Sequence, residues 1–218
     1  MEKILIVRIG EGLGNQLFMY ANAYCLSKKF DYILHIDDES GFSKNRRSRS
    51  YNLNLFDIQE KICPENLKFN NSFKDLKRKY LKFIDNFILD KKFITEKIDK
   101  NKLTKFEEIS KLKSIQIFVE GHYESELYFK DYETDLKNNI KIKYNLIDYN
   151  NPFIDQIKRS NSVSIHLRKN RFSEDLNNQN ISNNEKDAFF EKSIVNYVYR
   201  SIKYLDGKLD NPHYYRKQ

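Results

Sequence analysis

Ile4-Leu5-Ile6-Val7-Arg8-Ile9-Gly10-Glu11-Gly12-Leu13-Gly14-Asn15-Gln16 is the stretch on which the fold turns. Ile4 to Ile9 is a short β-branched and leucine run, the form taken by a strand covered on both faces of a parallel sheet. Three glycines, Gly10, Gly12 and Gly14, interrupt it. From Gln16 onward Leu17, Tyr20, Ala21, Tyr24 and Cys25 recur at helical spacing, which places them on one face, and Lys28 and Lys29 fall in the last turn, where cations suit the helix dipole. Tyr32 to Ile36 reads as a second strand. Strand, glycine turn, helix and strand make one βαβ unit, for which a right-handed crossover is expected.

Outward from this unit the pattern weakens. Residues 51–118 mix apolar residues with Lys and Asn in helical windows such as Leu76, Tyr80, Phe83, Ile84 and Phe87. Ile115 to Glu120 reads as a strand running into Gly121, and Ser125 to Asn138 as a short helical region. Asn150-Asn151-Pro152 is a breaker, and a second buried-type strand follows at Val163 to Leu167. A polar loop over 169–185 leads to helical spacing at Phe190, Ile194, Tyr197, Val198, Ile202 and Leu205. This starts a second α/β unit, and the chain stops near His213-Tyr214-Tyr215, where a return strand is due. The expected organisation is therefore an α/β domain over residues 1–150 and the start of a second over 151–218, both with parallel sheets and the second incomplete.

Composition sets bounds on function. The 218 residues are 39% hydrophobic and 32% charged, with 15 Tyr, 16 Phe, 6 Gly and 3 Pro, which excludes collagen-like, Gly/Pro-rich and wholly disordered chains. The net charge of +8 comes mainly from scattered lysines, the pattern of a solvated surface. Ser43 to Ser50, with Lys44, Arg46, Arg47 and Arg49 and no acid, reads first as a mobile basic loop, with contact to phosphate or a membrane surface as the lesser reading. Nucleic acid is not an expected partner. Cys25 and Cys63 form neither a disulfide framework nor a zinc pattern, and a reducing compartment is expected. The apolar run at the N-terminus is too short for a signal-peptide core, and a cytoplasmic chain that spans no membrane is expected.

Two places suggest chemistry. A glycine turn between a parallel strand and a helix admits close approach to backbone N–H groups at the helix N-terminus. Gly10-x-Gly12-x-Gly14 departs from the dinucleotide pattern because Asn15 stands where its last glycine belongs. A tight structural turn, a sugar-nucleotide site and a nicotinamide site all remain open on spacing alone. His166-Leu167-Arg168-Lys169 lies at the carboxyl end of the second strand, where open α/β sheets bind ligands, and alternation sends His166 and Arg168 to one side. An arginine there grips a diphosphate through two N–H donors; the competing reading is a surface Arg and Lys with His166 in the core. His35 with Asp37 and Asp38 fits turn capping better than a metal site, and His122 is a candidate base.

Four segments in order resemble glycosyltransferase family 11, the alpha-1,2-fucosyltransferases. Gly12-Leu13-Gly14-Asn15-Gln16-Leu17-Phe18-x-Tyr20-Ala21 is similar to the family's N-terminal motif, and Tyr51-x-Leu53-x-x-Phe56-x-Ile58 to the segment after it. Gly121-His122-Tyr123-Glu124-Ser125-Glu126-x-Tyr128-Phe129 and Val163-Ser164-Ile165-His166-x-Arg168 resemble the third and fourth. The resemblance implies a GT-B architecture and an inverting, metal-independent transfer of fucose from GDP-fucose to the 2-hydroxyl of a galactoside acceptor, in cell-surface glycan synthesis. No cofactor and no metal are implied. Peripheral contact with the inner face of the cytoplasmic membrane is the implied setting.

Carried over by position, Arg168 stabilises the leaving GDP. Gly12, Gly14, Asn15, Gln16, His166 and Lys169 contribute to the nucleotide cleft. Two departures stand out. The family's H-x-R-R-x-D has Lys169 for its second Arg and Arg171 for its Asp, and the acidic and Ser/Asn-rich stretches that follow in the family are absent from this sequence. The alternatives are an inactive remnant that binds a nucleotide or glycan without turnover, and a nicotinamide-dependent oxidoreductase.

Overall fold

The computed structural model describes residues 2–43, 49–84, 91–96, 106, 115–147, 149, 151–160, 199–200 and 203. The chain divides into two compact units, Met1–Leu146 and Ile147–Gln218. In the second, α4 (Pro152–Arg159) has Pro152 in its first turn, and the Asn151 side chain caps it by accepting the Phe153 N–H at 3.1 Å. The expected strand at 163–167 and helix at 186–205 lie outside the described residues, apart from helical positions at 199–200 and 203.

The first unit is α/β. Its elements are β1 (Ile4–Arg8), α1 (Leu13–Phe30), β2 (Ile33–Asp37), β3 (Lys61–Ile62), α2 (Ser72–Ile84), β4 (Lys91–Thr95), β5 (Gln116–Glu120) and α3 (Glu133–Asn139). The five strands form one sheet in the order β3-β2-β1-β5-β4. Every pairing is parallel, with Ile6 opposite His35 and Phe118, and Arg8 opposite Asp37. The parallel sheet expected from the opening βαβ unit is thus present. The two-residue β3 and the lysine-led β4 join it as edges.

Alternation in the central strands sorts two cores. Leu5, Val7, Ile117 and Val119 meet α1, while Ile6, Phe93 and Phe118 point the other way with Phe69. In the second set the rings of Phe93 and Phe118 stack at 4.7 Å between centroids. Each such side chain removed from water contributes roughly 1.5–3 kcal/mol.

The one-face reading of α1 needs correction. Every residue from Met19 to Ser27 is buried, because the helix is covered by the sheet on one side and by the segment after β5 on the other. Phe18 meets the Phe129 ring at 5.9 Å, and the Cys25 Sγ lies 3.8 Å from the Phe129 carbonyl. Asn22 is buried in this helix with neither amide atom hydrogen bonded. A left-handed Asp31 ends α1, its N–H donating to the Ser27 carbonyl.

Residues 126–128 and 130–132 are single 3₁₀ turns leading into α3, so the helical region expected over 125–138 is 3₁₀ in its first half and α-helical in its second. Among the described residues no helix is long and apolar enough to cross a membrane.

Candidate functional site

The carboxyl ends of β1, β2 and β5 carry the loops that shape the candidate site. After β1 the chain runs through Gly10 and a left-handed Glu11 (φ 63°) to Gly12, the N-cap of α1. The glycines have different reasons to be glycine. A Cβ on Gly41, in the loop after β2, would lie 1.9 Å from the Ile9 carbonyl oxygen, and one on Gly10 would lie 3.2 Å from the Gly41 oxygen. These two positions let neighbouring loops pass in contact.

Gly12 and Gly14 are not crowded. A Cβ on Gly12 would meet only the Arg49 guanidinium at 3.9 Å, and one on Gly14 would have no atom within 4 Å. The N-terminus of α1 has no side-chain cap and no acid in its first turn, so its positive end stays uncompensated by the helix itself. Asn15 is half-buried here, with no hydrogen-bond partner for its amide among the described residues.

Gln16 has a different place from the one expected. It is fully buried, its Nε2 donating to the Glu11 and Ser50 carbonyls at 2.9 Å each and its Oε1 accepting the Asn52 N–H at 2.9 Å. Its amide is thereby committed to joining the glycine turn to the 50–52 segment, which makes it a positioning residue. Arg49 adds a second link by pairing with the Glu11 carboxylate. Nothing in the spacing of the sequence announces either bond.

The loop after β2 is held just as firmly. Asp37 Oδ1 accepts the Glu39 and Ser40 N–H groups at 3.2 and 3.0 Å, and the Arg8 Nη2 donates to the Ser40 carbonyl at 2.7 Å. Lys68, 5% exposed, reaches Asp38, Glu39 and Glu65 at 2.9, 2.5 and 2.7 Å. Of the two acids beside His35, Asp37 caps the turn and Asp38 pairs with Lys68. Burial, with Lys61 nearby, pushes the His35 pKa down.

Beneath these loops, on the α2 side, lies a balanced ion network. Arg78 Nη1 donates to both Glu120 oxygens at 2.8 and 2.9 Å, its Nε and Nη2 reach Asp75 at 3.0 and 2.8 Å, and Lys82 meets Glu120 at 2.8 Å. Burial opposes ionisation of Glu120, but its contacts with Lys82 and Arg78 outweigh that and hold its pKa below the usual value. Burial and the neighbouring Arg78 lower the Arg8 pKa, and its Nε is buried without a partner.

After β5, Gly121 (φ 151°) leads to a left-handed Tyr123 (φ 54°). A Cβ on Gly121 would stand 2.4 Å from the Glu96 Cβ, because the Glu96 carboxylate reaches in to accept the N–H groups of His122 and Tyr123 at 2.7 and 3.0 Å. Tyr123 is fully buried and donates its hydroxyl to the Glu120 carbonyl at 3.1 Å. His122 and Glu124 remain exposed, the His122 Nδ1 lying 3.8 Å from Glu124. Three of the four segments singled out in the sequence thus converge on α1: the glycine turn opens it, Asn52 is tied to its Gln16, and Phe129 packs on its side. His166, Arg168 and Lys169 lie outside the described residues.

No protein-family model matches the chain. Over 208 residues it is 24% identical to an alpha-1,2-colitosyltransferase of Escherichia coli, a match that takes in 95% of this chain and 66% of that relative. The chain accordingly spans a little under two thirds of the length of the curated relative it matches. Its first unit presents an α/β parallel sheet with an open, uncapped helix start at the carboxyl edge, an arrangement consistent with a Rossmann-like glycosyltransferase fold.

Proposed function

We propose that this chain is an inverting, metal-independent glycosyltransferase that moves fucose from GDP-fucose to the 2-hydroxyl of a galactoside. The observation that carries the reading is the uncrowded turn Gly12-Leu13-Gly14-Asn15 at the start of α1. The protein's own packing does not require glycine at position 14, where nothing lies within 4 Å of a Cβ, whereas a substrate approaching the backbone would. The four resembling segments and the likeness to a colitosyltransferase support the class of reaction. Colitose is fucose without its 3-hydroxyl, so the two donors share shape and configuration.

In this reading the acceptor 2-hydroxyl attacks the anomeric carbon as the bond to the diphosphate oxygen breaks. The configuration inverts in one displacement, and the hydroxyl proton passes to a base. Negative charge grows on the departing diphosphate, and Arg168 meets it with two N–H donors, the task otherwise given to a metal ion. His166 and Lys169 orient the nucleotide, and Asn15 and the Gly12 and Gly14 backbone offer substrate the open turn at the start of α1. The setting proposed is the cytoplasm, with peripheral contact at the membrane.

The test is GDP release by the purified chain with GDP-fucose and lactose in the presence of EDTA, with a parallel arm using the 3-deoxy donor. Acceptor-dependent release that Arg168→Ala abolishes, with circular dichroism unchanged, is the expected result. Release that requires Mn²⁺ or survives Arg168→Ala would overturn the mechanism. Turnover of the 3-deoxy donor alone would overturn the choice of sugar.

A further inference from the structure

Helix α2 meets the sheet through its charged side chains and Leu81 and leaves most of its large apolar side chains outside. Its 13 residues, Ser72–Ile84, turn their charged side toward the sheet, where Asp75 and Arg78 are nearly buried and Lys82 joins them on Glu120. Its apolar side faces away: Phe73 is 80% exposed, Leu76 65%, Tyr80 62% and Phe83 82%. Spacings of three, four and three residues put these four on one stripe, about 15 Å long from Phe73 to Phe83.

The flanks of the stripe point to an occupant. Lys77 and Lys79 border it on either side and are exposed, Lys79 by 62% with only a 3.9 Å approach to Asp75. The single acid of the helix, Asp75, is turned inward. We propose that this face of α2 is a docking surface for an anionic lipid bilayer, with the helix lying in the interface plane, its aromatic stripe at the boundary between headgroups and acyl chains and its flanking lysines on lipid phosphates. Helices with one apolar and one cationic side bind membranes in this way.

A second copy of the chain is a poorer occupant. Pairing two such stripes would bring Lys77 and Lys79 against their own counterparts, and fewer than two heptads of seam are available to offset the repulsion. Three of the four exposed residues are aromatic, and Tyr80 has the polar tip and apolar body that suit a water–hydrocarbon boundary. The proposal does not depend on the transferase reading.

The sequence contains no Trp, so Phe83→Trp installs a single fluorophore at a site where no packing is lost. With phosphatidylcholine/phosphatidylglycerol vesicles its emission should shift to the blue and be quenched by brominated acyl chains, and with phosphatidylcholine alone it should do neither. Lys77→Gln and Lys79→Gln should each weaken vesicle binding about five-fold. Phe73→Ser should abolish co-flotation. Unchanged emission with both vesicle types would overturn the proposal, and so would equal binding to neutral and anionic vesicles. Concentration-dependent dimerisation in sedimentation, removed by Phe73→Ser, would also overturn it by assigning the face to a second copy.

Discussion

Replacing Gly14 by Ala should separate stability from ligand binding. Gly14 is the second residue of α1, exposed, with open space where a methyl group would stand. Without substrate the change removes a glycine from a helix at no steric cost and should stabilise the fold by roughly 0.5–1 kcal/mol. In a unit of the size of Met1–Leu146 that is a rise in Tm of about 2–4 °C. Substrate at about a hundred-fold excess over Kd raises stability by a further ~2.7 kcal/mol. If the ligand packs against the bare backbone, the added methyl overfills that contact, at a cost of about 1–3 kcal/mol. Thermal melts by circular dichroism, with and without GDP-fucose and lactose, report both quantities. The expected pattern is a higher Tm for Gly14→Ala alone and a smaller ligand-induced rise than for the parent chain. A lower Tm without ligand would refute the open-space argument, and an undiminished ligand-induced rise would refute the cleft.

Arg78→Met should lower unfolding stability in urea by about 3 kcal/mol, because it strips buried Glu120 and Asp75 of their shared partner. The ion network also sets an acid limit. With its folded pKa held below the ordinary 4.5, Glu120 contributes stability above that value and loses it as pH falls through the lower one. In Arg78→Met the Lys82 contact remains but that of Arg78 no longer offsets burial, so the Glu120 pKa rises and the acid-unfolding midpoint measured by circular dichroism should move to higher pH. Gln16→Leu should cost roughly 1–3 kcal/mol for each of the three backbone groups it leaves bare, and limited proteolysis should then cut near residues 49–52. Burial pushes the thiols of Cys25 and Cys63 up to about 12, so a disulfide reagent at pH 8 should label neither in the folded protein and both in denaturant.

The opening strand and helix were legible because a run of β-branched residues and a 3.6-residue period are local properties of Ile4–Cys25. The register of β1 with β5 is long-range, yet Ile115–Glu120 carried enough apolar alternation to be read as a strand. β4 could not be read in the same way: Lys91 and Lys92 open it, and only its place beside β5 makes it a strand. Apolar spacing also found α2, but periodicity does not say which face is turned inward. That choice was made by Glu120 on a neighbouring strand, whose charge draws Arg78 and Lys82 toward the sheet. Within the candidate site the glycines were visible as residue types, whereas their division into crowded (Gly10, Gly41) and open (Gly12, Gly14) depends on atoms far along the chain. Gln16 shows the same limit, since its partners at Ser50 and Asn52 are more than thirty residues away.

The way α2 is attached also determines how it would come away. Leu81 is the apolar contact of α2 with the Ile6, Phe93 and Phe118 cluster and ion pairs supply the rest, so lifting this helix exposes less apolar surface than lifting one with a wholly apolar inner face, and heat capacity and denaturant sensitivity change correspondingly less. Global melts will not register such a step. In native-state hydrogen exchange, α2 amides should instead exchange through a local opening of lower free energy than the amides of β1 and β5, and that opening should become easier as salt screens the pairs. The same charges that let the helix dock with its polar side down make it a separable layer over an otherwise cooperative sheet.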